Sequence, residues 1–132
     1  MTSPILTFLV AAVIFSVIDF IWLGLVAKQL YRRYIGFLLR DKANIPAAVI
    51  FYTLFIIGLI IFVINPALNR GNDQIYYAAL YGGLYGLFTY ATYDLTNLST
   101  VKGWPLTITV IDLAWGVVIS TITASVTVLV LA

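Results

Sequence analysis

Residues 45–64 read IPAAVIFYTLFIIGLIIFVI, twenty consecutive positions without a charged side chain. A helix of this length rises ~30 Å, which matches the hydrocarbon thickness of a bilayer. Asn44, a cap-type residue, precedes the run, and Pro46 suits a first helical turn. The stretch therefore predicts a transmembrane helix that begins near Asn44 and ends near Asn65.

Three further apolar runs lie on either side of this helix. The chain of 132 residues is 63% hydrophobic and 9% charged, whereas a soluble domain has about 25% charged residues. Strands of a membrane barrel would alternate polar and apolar side chains, and these runs do not. We therefore predict an all-α integral membrane protein, a single four-transmembrane-helix bundle over residues 1–132. Its spans are predicted at about residues 4–27, 44–65, 75–98 and 105–131.

The first predicted loop contains five of the seven Lys and Arg residues. Because basic loops remain on the cytoplasmic side, we predict an N-out/C-out topology. Lys28, Arg32 and Arg40 recur at helical spacing, and Leu30 and Tyr34 lie largely on the opposite face. This pattern predicts a short interfacial helix in the loop. Its basic face would either attract anionic lipid headgroups or serve only to fix the topology.

Three aspartates, Asp19, Asp94 and Asp112, lie inside the predicted first, third and fourth spans. A carboxylate at membrane depth is costly unless it is paired, protonated or facing water. The predicted topology puts all three in the cytoplasmic half of the bilayer. They therefore predict one acidic, Trp-lined pocket near the cytoplasmic face. The second span contributes no charge to this pocket and is predicted to be scaffold.

Asp19 and Asp112 each belong to the pattern Val-Ile-Asp-x-x-Trp, which Trp22 and Trp115 complete. A spacing of three residues puts each tryptophan on the same helical face as its aspartate. The indole N–H can donate a hydrogen bond to a carboxylate on its own helix or on a facing one. The repeated pattern therefore predicts two tryptophan side chains at the acidic site.

Asp94 lies in the most polar intramembrane stretch. Asn97 follows at a spacing of three, and Lys102 is close enough to extend toward the site. The alternative is that these groups only hold helices together by hydrogen bonds. The complete set of predicted ligand- or ion-binding residues is Asp19, Trp22, Asp94, Asn97, Lys102, Asp112 and Trp115.

Ala78, Gly82 and Gly86 recur every four residues in the third span. Small residues at this spacing let two helices approach closely. The pattern predicts helix packing within the bundle. A self-association face and a ligand slot are the alternatives.

The site favours a protein that binds or transports a cation, a proton or a small polar or cationic ligand. Asp19 and Asp112 would form the binding pair, while Asp94, Asn97 and Lys102 would shape the entrance. One alternative is a lipid- or isoprenoid-modifying membrane enzyme with an aspartate as general acid. The other is a non-catalytic accessory subunit in which the aspartates are structural.

The predicted partners are membrane lipid, the small cation, proton or lipid-like ligand, and a second copy in a homodimer. No nucleic acid, cofactor or metal is predicted. The chain has no Cys and no His, which excludes thiolate nucleophiles, imidazole metal ligands and a Ser-His-Asp triad.

Three segments together resemble a known family. They are Asp19-x-x-Trp22-Leu23-Gly24, Tyr93-Asp94-Leu95-Thr96-Asn97 with Lys102-Gly103-Trp104-Pro105, and Asp112-x-x-Trp115-Gly116. The combination is similar to a bacterial membrane family known as domain of unknown function 2177, and the resemblance extends over essentially the whole chain. It implies a small four-span protein of the bacterial inner (plasma) membrane, and it implies no activity.

Overall fold

The computed structural model describes residues 3–132, and within that range the chain forms helices and no strands. Four long helical segments dominate, and one short helix lies in the first loop. The first half contains α1 (Pro4–Ile21), a π-helical continuation (Trp22–Val26), α2 (Lys28–Ile35), a 3₁₀ turn (Gly36–Leu38) and α3 (Ile45–Leu59). A π-helical turn (Ile60–Ile64) leads from α3 into α4 (Asn65–Leu68), which is followed by α5 (Gln74–Thr100) and α6 (Leu106–Leu131).

Local sequence accounts for where the long helices begin. The Asn44 side chain accepts a hydrogen bond from the backbone N–H of Ala47 at 3.2 Å, which confirms the predicted cap of α3. Between α5 and α6, Gly103 has a φ of 82°, a left-handed conformation that glycine adopts without steric cost. Pro105 then occupies the N-cap of α6 in an extended conformation. This turn therefore separates α5 from α6 at the predicted boundary between the third and fourth spans.

Three helical segments are long and apolar enough to cross a membrane: Pro4–Val26, Ile45–Leu68 and Leu106–Leu131. Large apolar side chains point outward from them, including Ile5 and Phe62, which are 73% and 68% exposed. Such surfaces are typical of lipid-facing helices. The third predicted span corresponds to α5, which has 27 residues but is more polar, so its membrane crossing stays a prediction.

The most extensive helix pair is α5 with α6, which run antiparallel. A Cβ atom on Gly82 would lie 2.9 Å from the carbonyl oxygen of Ser120, and one on Gly86 would collide with the carbonyl oxygen of Gly116. The glycines therefore allow the two backbones to touch, which confirms the predicted packing role. The matching small residues of α6, Gly116, Ser120 and Ala124, also recur every four positions and were not predicted.

The other long helices complete a common core. α1 packs against α3 and α6, and the π-helical turn after α3 packs against both α5 and α6. Phe15, Ile56, Leu59 and Ile119 are almost completely buried where these segments meet. This packing brings the end of α1 close to the first half of α6 and the last third of α5.

The first loop differs in part from the expected helix. α2 begins at Lys28 and ends at Ile35, and a short 3₁₀ turn follows. Arg40 lies beyond that turn in irregular backbone, so the expectation that it shares one helical face with Lys28 and Arg32 was wrong. Gly36 and the extended Leu39 end the regular structure first. The interfacial position of α2 stays a prediction.

Candidate functional site

A cavity of about 420 Å³ lies where α1, α2, α5 and α6 meet. Its wall contains all three intraspan aspartates, all three tryptophans of the chain and no basic residue among those described. Most of the remaining wall is aromatic or aliphatic. Binding cavities for small organic ligands have this character, with a few polar groups on a largely apolar surface. The lining residues used below are Asp19, Trp22, Tyr31, Tyr90, Asp94, Trp104, Asp112 and Trp115.

Asp19, near the end of α1, is held by two donors. The Tyr52 hydroxyl donates to Oδ2, and the Trp115 indole N–H donates to Oδ1 at 3.2 Å. Only 6% of the residue is exposed. Because Tyr52 belongs to α3, the second predicted span supplies a polar group to the site and is more than scaffold.

Asp112, in α6, accepts a hydrogen bond from a side chain of the first loop. Tyr31 of α2 donates its hydroxyl to Oδ1, and the Trp22 indole N–H donates to the Tyr31 oxygen at 3.2 Å. Burial, and then the hydrogen bond to Asp112, raise the pKa of Tyr31 above its ordinary value. The tyrosine therefore keeps its proton at physiological pH and remains a donor.

The two Val-Ile-Asp-x-x-Trp segments pair crosswise. Trp22 and Trp115 stack with ring centroids 4.4 Å apart and planes inclined by 8°. Trp115 donates to the aspartate of the other segment, Asp19, and Trp22 reaches Asp112 through Tyr31. Each tryptophan therefore serves the facing helix and not its own. Aromatic stacking of this kind adds about 0.5–1.5 kcal/mol beyond area burial.

Asp94, in α5, is the exception among the aspartates. It is completely buried, and neither carboxyl oxygen has a hydrogen-bond donor. Its carboxyl group lies against that of Asp112. The nearby Trp104 indole N–H is directed to Thr109 Oγ1 at 3.1 Å. Two adjacent carboxylates repel each other unless a proton or a cation lies between them.

Five of the seven residues predicted for the site line this cavity, and Asn97 and Lys102 do not. Asn97 is half-buried on α5 near Tyr93, and Lys102 is exposed in the turn after α5. The carboxyl group beside that of Asp112 belongs to Asp94, whereas the sequence had predicted Asp19 and Asp112 as the pair. As a ligand- or ion-binding set, the seven residues stay a prediction.

The predicted site set left out Thr89 and Tyr93, which line the cavity, and four further polar residues that line or contact it. Tyr90 lies within electrostatic range of all three aspartates. The sequence pattern around Tyr31 could have indicated that it faces the protein interior. Ala27, Tyr31 and Ile35 recur every four residues and form the buried side of the α2 region. The four are Tyr31, Tyr52, Tyr90 and Trp104.

The chemistry of the wall limits what the cavity can hold. Among the described residues, no three acidic, His or Cys side chains are close enough to ligate one metal ion. Two carboxyl groups with aromatic faces suit a proton or an organic cation, because aromatic rings attract positive charge without supplying a metal ligand.

Residues 4–129 match the model of the family described as "Predicted membrane protein (DUF2177)". Neither a curated protein nor a solved structure matches the chain.

Proposed function

The chain belongs to this family of predicted membrane proteins of unknown function, and we propose that it binds a small organic cation in exchange for a proton. The site is the cavity bounded by the aspartates and the stacked tryptophans. The observation that carries the proposal is Asp94, a fully buried carboxyl without a donor, set against the carboxyl of Asp112.

We place this cavity near the cytoplasmic face of a four-span, N-out/C-out protein. α5 also crosses the membrane in this proposal, as the third of four spans, because it packs along the apolar α6 and its polar residues Tyr90, Tyr93 and Asp94 line the cavity. The basic first loop supports the orientation. α2 then lies at the cytoplasmic interface, from which Tyr31 reaches Asp112.

In the resting state the Asp94–Asp112 pair holds one proton, which leaves one negative charge on this pair. A monovalent organic cation that enters brings its own charge, so the pair releases the proton and the net charge of the site is unchanged. The faces of Trp22 and Trp115 then attract the cation, which is worth about 0.5–2 kcal/mol per ring. Asp19 is already bonded to two donors and orients Trp115.

Intrinsic tryptophan fluorescence tests the proposal, because every tryptophan in the chain lines the cavity. Protein in nanodiscs is titrated with benzyltrimethylammonium, and with its neutral isostere neopentylbenzene. We expect saturable quenching by the cation and a much weaker response to the neutral compound. A pH dye in weak buffer should record about one proton released per cation bound.

Asp94→Asn is expected to raise the Kd for the cation at least tenfold, which corresponds to about 1.4 kcal/mol, and to abolish proton release. Asp73→Asn is the matched control, because Asp73 lies in the loop between α4 and α5 and pairs with Arg70. Equal quenching by the cation in wild type and Asp94→Asn, or binding without proton release, would refute the exchange.

A further inference from the structure

A second cleft, of about 990 Å³, adjoins the cavity on the side of the first loop. Its charged lining consists of Lys28, Arg32 and Arg40, with Asp41 as the one acidic residue among those described. The cation site proposed above has no basic residue in its wall. The two cavities therefore have opposite charge preferences and take different ligands.

The wall between the two cavities is narrow. Tyr31, Leu23 and Leu39 line both of them. The Tyr31 hydroxyl is directed to Asp112 on the side of the acidic cavity. The basic cleft therefore forms a separate compartment over the first loop.

Two glycines, which have no side chain, form part of the wall of the basic cleft. Gly24 and Gly36 line it, and a Cβ atom added to either would meet no atom within 4 Å. Gly36 has a φ of −55°, an ordinary helical value that other residues adopt equally well. Steric conflict or backbone conformation does not require glycine at these positions, and both glycines face open space and not a packed neighbour.

The rim of the cleft is apolar. Leu38 lines the cleft, and the adjoining Leu25, Val26 and Phe37 are 82%, 63% and 69% exposed. In a membrane protein these side chains would contact acyl chains at the level where headgroups begin. A ligand held by both parts of the surface needs an anionic head and an apolar body.

We propose that the cleft binds the phosphate of an anionic phospholipid such as phosphatidylglycerol. Arg32 and Arg40 approach from the two sides of the 3₁₀ turn, and each guanidinium can form paired hydrogen bonds to phosphate oxygens. Anionic lipids are concentrated in the cytoplasmic leaflet, where the proposed topology puts this loop. The site is independent of the cation exchange proposed for the acidic cavity.

Arg33 provides a control that separates a specific phosphate site from a general attraction between the basic loop and anionic lipid. Arg33 follows Arg32 directly and has the same charge, but it does not line the cleft. Its guanidinium carbon lies 5.7 Å from the centre of the Tyr34 ring. A role limited to fixing topology would make Arg32 and Arg33 equivalent, whereas a built site would not.

Native mass spectrometry of protein exchanged into mixed phosphatidylglycerol and phosphatidylcholine tests the assignment. Wild type should retain one phosphatidylglycerol in preference to phosphatidylcholine. Arg32→Gln should lose this preference at least tenfold, and Arg33→Gln, which removes the same charge, should retain it. An equal loss of the preference for phosphatidylglycerol in the two variants would refute the specific site. It would indicate only a general electrostatic attraction between the basic loop and anionic lipid.

Gly36→Leu provides a second, uncharged perturbation. The new side chain should fill the cleft and remove the retained lipid while the melting temperature stays near that of wild type. Retention of phosphatidylglycerol in Gly36→Leu would show that the lipid lies elsewhere. Inorganic phosphate, added as a competitor, distinguishes the source: displacement at millimolar phosphate would assign the cleft to free phosphate and overturn the lipid assignment.

Discussion

The same substitution, Asp to Asn, should have opposite effects on stability at two positions in one cavity. At Asp94 the carboxyl has no donor and adjoins Asp112. The asparagine amide would donate to Asp112 permanently, whereas the carboxyl of Asp94 can donate only while it holds a proton. An unsatisfied buried polar group costs about 1–3 kcal/mol, so we expect Asp94→Asn to raise the free energy of unfolding by about that amount.

At Asp19 the expected sign is reversed. The carboxylate accepts hydrogen bonds from Tyr52 and from Trp115. An asparagine has one carbonyl oxygen and presents its NH₂ group to one of these two donors. One donor is left unsatisfied in a buried site, and we expect Asp19→Asn to lower the free energy of unfolding by about 1–3 kcal/mol.

Equilibrium unfolding of detergent-solubilised protein in increasing dodecyl sulfate measures both changes under one condition. Helix content by circular dichroism before unfolding confirms that each variant is folded. The reasoning is wrong if Asp94→Asn destabilises the protein as much as Asp19→Asn does. That result would make all the aspartates structural, as expected of a non-catalytic accessory subunit.

Three other perturbations follow from the structure. Gly86→Leu should lower the free energy of unfolding by more than 3 kcal/mol, because the side chain would meet the backbone of α6; near-wild-type unfolding would contradict the close approach. Trp115→Phe should cost about 1 kcal/mol by removing the indole N–H that donates to Asp19, measured in the same assay with the aromatic stack retained. The hydrogen bond from Arg70 holds the pKa of Asp73 below its usual range, so this pair should stabilise the loop above the ordinary aspartate pKa and lose its effect as the pH falls through the lowered value; a carboxyl titration by NMR at the ordinary pKa would contradict it.

The helices of this protein could be predicted because their determinants are local. Twenty uncharged residues after Asn44 predict a helix, and Asn44 caps it as expected. The residues around Gly103 and Pro105 separate α5 from α6 for reasons of backbone conformation alone. The more polar composition of α5 is equally visible in the sequence, and it leaves the membrane crossing of this third predicted span a proposal.

The partners of the aspartates could not be predicted, because packing between distant segments decides them. Gly86 lets α5 meet α6 at Gly116, and in the resulting antiparallel register Asp94 comes to lie beside Asp112. A different register would have given Asp94 a different neighbour with no change in any local pattern.

The amino-acid sequence by itself determined that three costly carboxyl groups lie within apolar segments, since residue type and hydropathy are properties of the chain alone. Tertiary structure alone decided that two of them are satisfied and one is not. Hydrogen-bond donors such as Tyr31 and Tyr52 come from other helices, and only packing determines which carboxyl they reach. Asp94, buried without a donor, owes its chemical character to that arrangement.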